Sequence, residues 1–261
     1  MADSTTAMTG DHDAPREFAP SWRGMVAEDL SLLARLHGIE LDDDTLAALK
    51  AADFPACLSL PPSTREGAEA RLLMTQAIAG DEAAFQTTLD ELAVDYAAIY
   101  LTGRYHASPN ESAWLDDDGL ERQEPMFAVR EWYRKYNLEA GDWRRRQDDN
   151  LSLQLQFVAH LCTHAADDAA LRPAADFLDA HLLLWIDRYA ERVAGRAMTP
   201  FYAALGMLTA DYLHALRAAL VVLADAPYPP EPTEESKPKK APQGPSRGES
   251  EPFLPGLGPT L

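Results

Sequence analysis

Few residues in this chain are spaced for chemistry. His160 and His164 lie four apart, with Cys162 between them. On a helix such a pair shares one face and could hold a metal ion, while Cys162 would point elsewhere. A metal site needs further ligands, and helix-surface or hydrogen-bonded core histidines show the same spacing. A di-iron bundle would need two Glu-x-x-His motifs. No histidine here has a glutamate three residues before it, and Asp211-x-x-His214 stands alone. The chain also contains no G-x-x-x-x-G-K-[ST] phosphate loop, no G-x-G-x-x-G fingerprint and no G-x-S-x-G elbow. It therefore reads as a protein that is not an enzyme, with no cofactor and no resident metal.

The second chemistry on offer is recognition. Tyr96, Tyr100, Trp114, Trp132, Tyr133, Tyr136 and Trp143 form an aromatic-rich stretch. Aromatics at helical spacing usually build core, but Tyr and Trp also anchor peptides whose apolar face enters a groove. Asp95, Asp116, Asp117, Asp118, Glu124, Asp148 and Asp149 lie nearby in sequence. They would suit a peptide carrying both arginines and an apolar run. The dense basic run, Arg144-Arg145-Arg146, reads as a solvated helix end or loop paired with local acids.

Charge narrows the partners. The 261 residues hold 23 Lys+Arg against 42 Asp+Glu, a net charge of -19. Such a chain repels nucleic-acid phosphate and anionic lipid, and it steers basic partners inward. Two distant cysteines, Cys57 and Cys162, offer neither a disulfide framework nor a zinc site, so a reducing cytoplasm is the simplest setting. The N-terminus has no apolar h-region. The longest apolar stretch, 201–226, is interrupted by Asp211, His214 and Arg217, so no membrane insertion is expected.

The elements that must position these residues read as helices almost throughout. Residues 1–17 and the Pro-rich tail 227–261, which holds 10 of the 19 prolines, read as disordered. The first segment carries net -3 and the tail -1, which leaves -15 on the core 18–226. Ser21 is placed to cap a helix through Met25, Leu30, Leu33 and Leu36 that ends at Gly38. Asp42–Asp44 start a short helix. Ser63 with Glu66 makes a capping-box pattern, and Gly80 ends that helix. Asp81 caps the next, through Phe85, Leu89, Leu92, Tyr96 and Tyr100 to Gly103. A loop to about Gly119 comes next, and then a helix opened by Pro125. Leu151, Leu155, Val158 and Cys162 form one helical stripe, and Asp148 and Asp149 favour its N-terminus. Two long helices, 173–194 and 199–225, close the core. The sum is an all-α single domain, a helical bundle of about nine or ten helices.

At the aromatic stretch the sequence resembles the TorD/DmsD/NarJ-type chaperones, cytoplasmic maturation factors of molybdoenzymes. Asp95-Tyr-Ala-Ala-Ile-Tyr100 is similar to their aromatic-x-x-Leu-aromatic motif. Pro109-Asn-Glu-Ser-Ala-Trp114 is similar to their Pro-(x)-x-Ser-x-(Tyr/Trp) loop, and Gln123-Glu-Pro-Met-Phe127 to the helix after it. Asp148 to Phe157 resembles their Glu-Pro-x-Asp-His motif and the helix beyond it, with Arg146-Gln147 in place of Glu-Pro and Asn150 in place of His.

The resemblance implies an all-helical chaperone, monomeric or homodimeric, that binds the twin-arginine leader and apo form of a molybdoenzyme catalytic subunit. Carried over, it places client binding at Tyr96, Ile99, Tyr100, Pro109, Trp114, Glu124, Asp148, Asp149, Asn150, Gln154 and Phe157. Of these, Tyr96, Ile99, Tyr100, Trp114, Asp149 and Asn150 are expected to converge on one groove. Two alternatives stand beside it: a helical metal protein or enzyme using His160 and His164, and an acidic adaptor acting through the Pro-rich tail.

Overall fold

The computed structural model describes residues 21–79, 89–116, 118–141 and 146–230. The expectations for residues 1–17, for Gly80, Asp81 and Phe85, for Asp117, for Trp143, Arg144 and Arg145, and for the tail from 231 onward lie outside them. The chain divides into two units after Tyr228. The second has only Pro229 and Pro230 among the described residues, and every helix among those residues belongs to the first.

Helix α1 (Trp22–Gly38) starts where the Ser21 hydroxyl accepts the Gly24 N–H at 3.1 Å. Its inner face is Val26, Leu30, Leu33 and His37, a helical i, i+4, i+7, i+11 series. Helix α2 (Asp43–Ala51) is capped by Asp42, whose carboxylate accepts the Thr45 N–H at 2.8 Å. Helix α3 is Arg65–Ala79. Helix α4 (Leu89–Tyr96) runs into a π-helical turn, Ala97–Leu101. The 103–119 loop contains a one-turn helix, α5 (Ser112–Leu115). Helix α6 (Glu124–Lys135) has Pro125 in its first turn. Helix α7 (Leu151–His164) buries the expected stripe Leu151, Leu155, Val158 and Cys162 completely and packs along α1. Each aliphatic side chain buried this way contributes roughly 1.5–3 kcal/mol.

The chain continues through α8 (Arg172–Ala180), α9 (Ile186–Ala194) and α10 (Pro200–Leu223). Helix α10 packs against α3 and α9. By length and composition it would suit a membrane span, yet most of it is buried inside the fold. Its polar residues have internal partners: Asp211 accepts from Ser63 and Thr64, and Arg217 makes a two-pronged ion pair with Asp179 at 2.7 Å. Ten α-helices and no strand occur among the described residues, as the sequence pattern indicates.

Three local expectations change. Helix α3 is capped by Thr64, whose hydroxyl accepts the Gly67 N–H at 2.9 Å. Ser63 instead gives its N–H and hydroxyl to Asp211, so the capping-box pattern is one residue off. The helix expected over 173–194 breaks at His181 (φ -132, ψ -86), with a 3-10 turn at Leu182–Leu184 before α9. Phe177, Leu178, Leu182, Trp185, Ile186 and Tyr189 are all buried, so the apolar period runs across the break and hides it. The third change is α5, one turn inside the stretch read as loop.

Candidate functional site

A groove of about 350 Å3 opens between the C-terminus of α1, the π turn and the N-terminus of α7. Each wall arises from local structure. The π turn closes an i→i+5 bond, Thr102 N–H to the Ala97 carbonyl at 2.8 Å. It sends Ile99 into the core and brings Tyr96 and Tyr100 to the groove, with their rings 4.9 Å apart. The Tyr96 hydroxyl donates to the Gly38 carbonyl at 3.0 Å, and Arg146 donates to the same oxygen at 2.7 Å. Both satisfy the exposed carbonyl end of α1.

The far wall is a short antiparallel contact between Asn110 and Asn150. Leu151 N–H donates to the Pro109 carbonyl at 2.7 Å, and Glu111 N–H to the Asp149 carbonyl at 3.1 Å. Asn150 caps α7 by accepting from Ser152 N–H at 3.1 Å, while its amide donates to Asn110 at 3.0 Å. Asn150 lines the groove, while Asp149, in the turn just before it, faces inward to Ser112.

Below the groove lies a polar chain. His37 sits between the Tyr100 hydroxyl at 2.6 Å and Thr209 at 2.9 Å, and Tyr189 donates to Tyr100 at 3.2 Å. Burial pushes the His37 pKa down to about 3, so the ring is neutral near pH 7. Burial, reinforced by Tyr189, raises the Tyr100 phenol well above its usual range. The charged side chain lining the groove is Arg146; Leu101 and Leu153 add apolar wall.

The sequence-predicted residues divide. Tyr96, Tyr100, Pro109 and Asn150 line the groove. Ile99 lies in the core rather than in the wall. Trp114 lies elsewhere, stacked on Trp185 at 6.4 Å and lining hollows with Arg188 and Arg192. Asp149 is fully buried and accepts from the Ser112 N–H and hydroxyl at 2.8 and 2.5 Å, with burial raising its pKa. Gln154 is buried and donates to Glu111 at 2.8 Å. Glu111 also bonds His181 at 2.9 Å, and burial raises its pKa. Asp148 pairs with Arg130 at 2.7 Å. Phe157 packs edge-on against Phe177 and tilted against Tyr133 in the core. Glu124 is exposed at the start of α6.

Three of the six residues expected in one groove therefore meet there. Asp118 and Glu124 stay exposed, whereas three of the acids expected to flank it are taken up inside the fold. Asp95 is among them: it accepts from Tyr105 and from the Thr199 N–H and hydroxyl at the start of α10. His37, Gly38, Leu101 and Leu153 join the groove without a motif to announce them. A histidine 63 positions from its tyrosine partner leaves no short-range signal.

The histidine pair holds no cluster of ligands. His164 Nδ1 lies 2.9 Å from the His160 carbonyl, and burial pushes the Cys162 thiol up to about 12. Among the described residues no group of three or more His, Cys, Asp or Glu is placed to hold a metal.

Fold and site together are an all-helical domain with a tyrosine-walled groove over a neutral polar floor. A family model described as the nitrate reductase delta subunit matches residues 64–191. The chain is 30% identical over 186 residues to the chaperone protein TorD of Shewanella loihica, covering 68% of this chain and 84% of that protein. The TorD chaperone of Aliivibrio fischeri is 26% identical over 192 residues, 69% of this chain and 87% of the relative. A solved structure titled a putative redox enzyme maturation protein from Archaeoglobus fulgidus is 18% identical, with a TM-score of 0.48, covering 76% of this chain and 98% of that one. The chain belongs to the TorD/DmsD/NarJ family of redox-enzyme maturation chaperones and is not an enzyme.

Proposed function

We propose that the chain matures a molybdenum enzyme of the dimethyl-sulfoxide-reductase type in the cytoplasm. It holds the apo catalytic subunit by its twin-arginine leader until the cofactor is inserted, and then releases it for export. The observation that carries this reading is the groove. Tyr96, Tyr100, Pro109, Leu101 and Leu153 offer apolar wall for the leader's h-region, and Leu101 is 67% exposed. Ile39, beside Gly38, is 57% exposed and extends that surface.

The cationic half of the leader is drawn by the field of the whole chain, net -19, and by exposed Glu40, whose charge acts on Tyr96 in the groove wall. Asp148 and Asp149 do not serve it, because Arg130 and Ser112 occupy them. Recognition in this form is mainly apolar and steered, so it weakens with salt less steeply than paired charges would. The bound leader also covers an apolar segment that would otherwise aggregate.

Calorimetric titration of the full chain with a synthetic twin-arginine leader tests the reading. Saturable binding that drops about tenfold in Leu101→Glu supports it. Binding that Leu101→Glu leaves unchanged places the leader elsewhere, and no heat at all rejects direct leader recognition.

A further inference from the structure

Arginines gather along α9: Arg188 and Arg192 lie one turn apart on it, Arg196 follows just past its C-terminus, and all three are exposed. The guanidinium carbons of Arg188 and Arg192 lie 5.9 and 5.6 Å from the Trp114 ring centre. Their hydrogen bonds go to backbone carbonyls: Arg188 to Leu184 at 3.3 Å and Arg192 to His106 at 3.1 Å. Among the described residues none of the three forms an ion pair, whereas Arg23, Arg130, Arg172 and Arg217 each have a carboxylate partner.

Two adjoining hollows, of about 420 and 370 Å3, share Trp114, Arg188 and Arg192. Each also has one glutamate in its lining. Glu191 lies beyond ion-pair distance of these arginines, and Glu121 is taken by Ser108, Asn110 and Gln147. Apolar side chains stand close by in the chain, Leu184 at 50% and Met198 at 71% exposure. In a chain with almost two acids per base, these hollows gather three arginines against two glutamates.

We propose that the arginine face of α9, with Trp114 at its centre, is a docking surface for an acidic segment of a partner protein. Charge decides the occupant. Three unpaired guanidiniums repel a cationic leader and present forked donors to carboxylates, while Trp114, Leu184 and Met198 supply apolar contacts for a side chain between the acids. Partner contact here is separate from the tyrosine groove, so one protein could engage both surfaces through segments of opposite charge.

The test uses the full chain and a fluorescein-labelled peptide, Glu-Asp-Phe-Glu-Asp-Leu-Glu, monitored by anisotropy. Saturable binding is expected, weakened by salt and reduced about tenfold or more in the double variant Arg188→Glu/Arg192→Glu. Arg65→Glu, which alters an exposed pair on α3, should leave it unchanged. Thermal melting by circular dichroism confirms that the double variant is folded. If that variant does not fold, Arg196→Glu replaces it with the same expected direction. The same variants titrated with the twin-arginine leader should bind it undiminished, which separates failure of this surface from failure of the groove. Absence of peptide binding, or binding indifferent to the α9 charges, overturns the proposal. Equal displacement by inorganic pyrophosphate also overturns it, in favour of a small-anion site.

Discussion

His37 Nδ1 lies 2.6 Å from the Tyr100 hydroxyl, and this contact ties the last turn of α1 to the π turn that shapes the groove. The pair sets a pH dependence. The folded pKa of His37 is pushed down to about 3, whereas the unfolded chain titrates near 6.5. Between those values the unfolded state holds a proton that the folded state refuses, so stability falls as pH drops through that window.

From pH 7 to 5 the loss from this residue is about 2 kcal/mol. His37→Gln keeps polar contacts but does not titrate. Urea unfolding at pH 7 and pH 5 should show the parent losing more stability than the variant. Glu111 and Asp149, with raised pKa values, act in the opposite direction in acid, and the contribution of His214, raised by its bond to Asp187, is lost with rising pH. All three are common to both proteins and cancel in the comparison. Parallel pH curves for parent and variant would show that His37 does not set this dependence.

A β-carbon on Gly67 would overlap the Asp211 carboxylate. That carboxylate cannot retreat without dropping its bonds to the N–H and hydroxyl groups of Ser63 and Thr64. Gly67→Ala should therefore cost roughly 2–4 kcal/mol, through overpacking and a lost anchor between α3 and α10. At Gly24 the nearest neighbour of an added β-carbon is the Ser21 hydroxyl at 3.4 Å, so Gly24→Ala should be neutral or mildly stabilising. Equal melting temperatures for the two variants would contradict the packing described.

Arg217 is 1% exposed and satisfies four acceptor atoms: both Asp179 oxygens and the carbonyls of Ala226 and Pro227. Its guanidinium also lies 4.3 Å from the Tyr228 ring centre. Arg217→Met removes the cation and leaves Asp179 and two carbonyls without it, a loss of about 3–5 kcal/mol. Arg217→Lys recovers little, because an ammonium cannot make the forked contact. Chemical denaturation ranks the three proteins, and recovery by lysine to near the parent would show that charge alone suffices.

These contacts explain how much of the site is legible in the sequence. The stripe Leu151, Leu155, Val158 and Cys162 is a local period, and it stands in the structure as read. Tyr96, Tyr100, Pro109 and Asn150 are legible because their motifs are contiguous. Asp149 reads as a groove residue because proximity in sequence cannot tell which way a side chain faces. Next to the Asn110–Asn150 bridge it turns in, toward Ser112. The break at His181 is hidden because apolar residues keep their period across it. Asp95, Asp148 and Asp211 look like surface acids in a chain of net -19, yet each holds a distant segment in place.

Arg146 stands where the family pattern carries glutamate, and it is the charged side chain that lines the groove. Its structural work is light. The Gly38 carbonyl it meets at 2.7 Å also accepts from Tyr96 at 3.0 Å, and its contact to Ser152 is 3.2 Å. Arg146→Gln should therefore cost no more than about 1 kcal/mol of stability. Its effect on a cationic leader should be larger in relative terms. A guanidinium facing an incoming arginine about 8 Å away, at the effective dielectric of a protein surface, opposes it by on the order of 2 kcal/mol before salt screening. Removing it should tighten leader binding roughly three- to tenfold at low salt, with the gain fading as salt is added. A control leader with both arginines changed to glutamine should gain nothing. Calorimetry of both peptides against parent and variant decides the matter: equal affinity for the twin-arginine leader in parent and variant would mean that its arginines do not approach this groove.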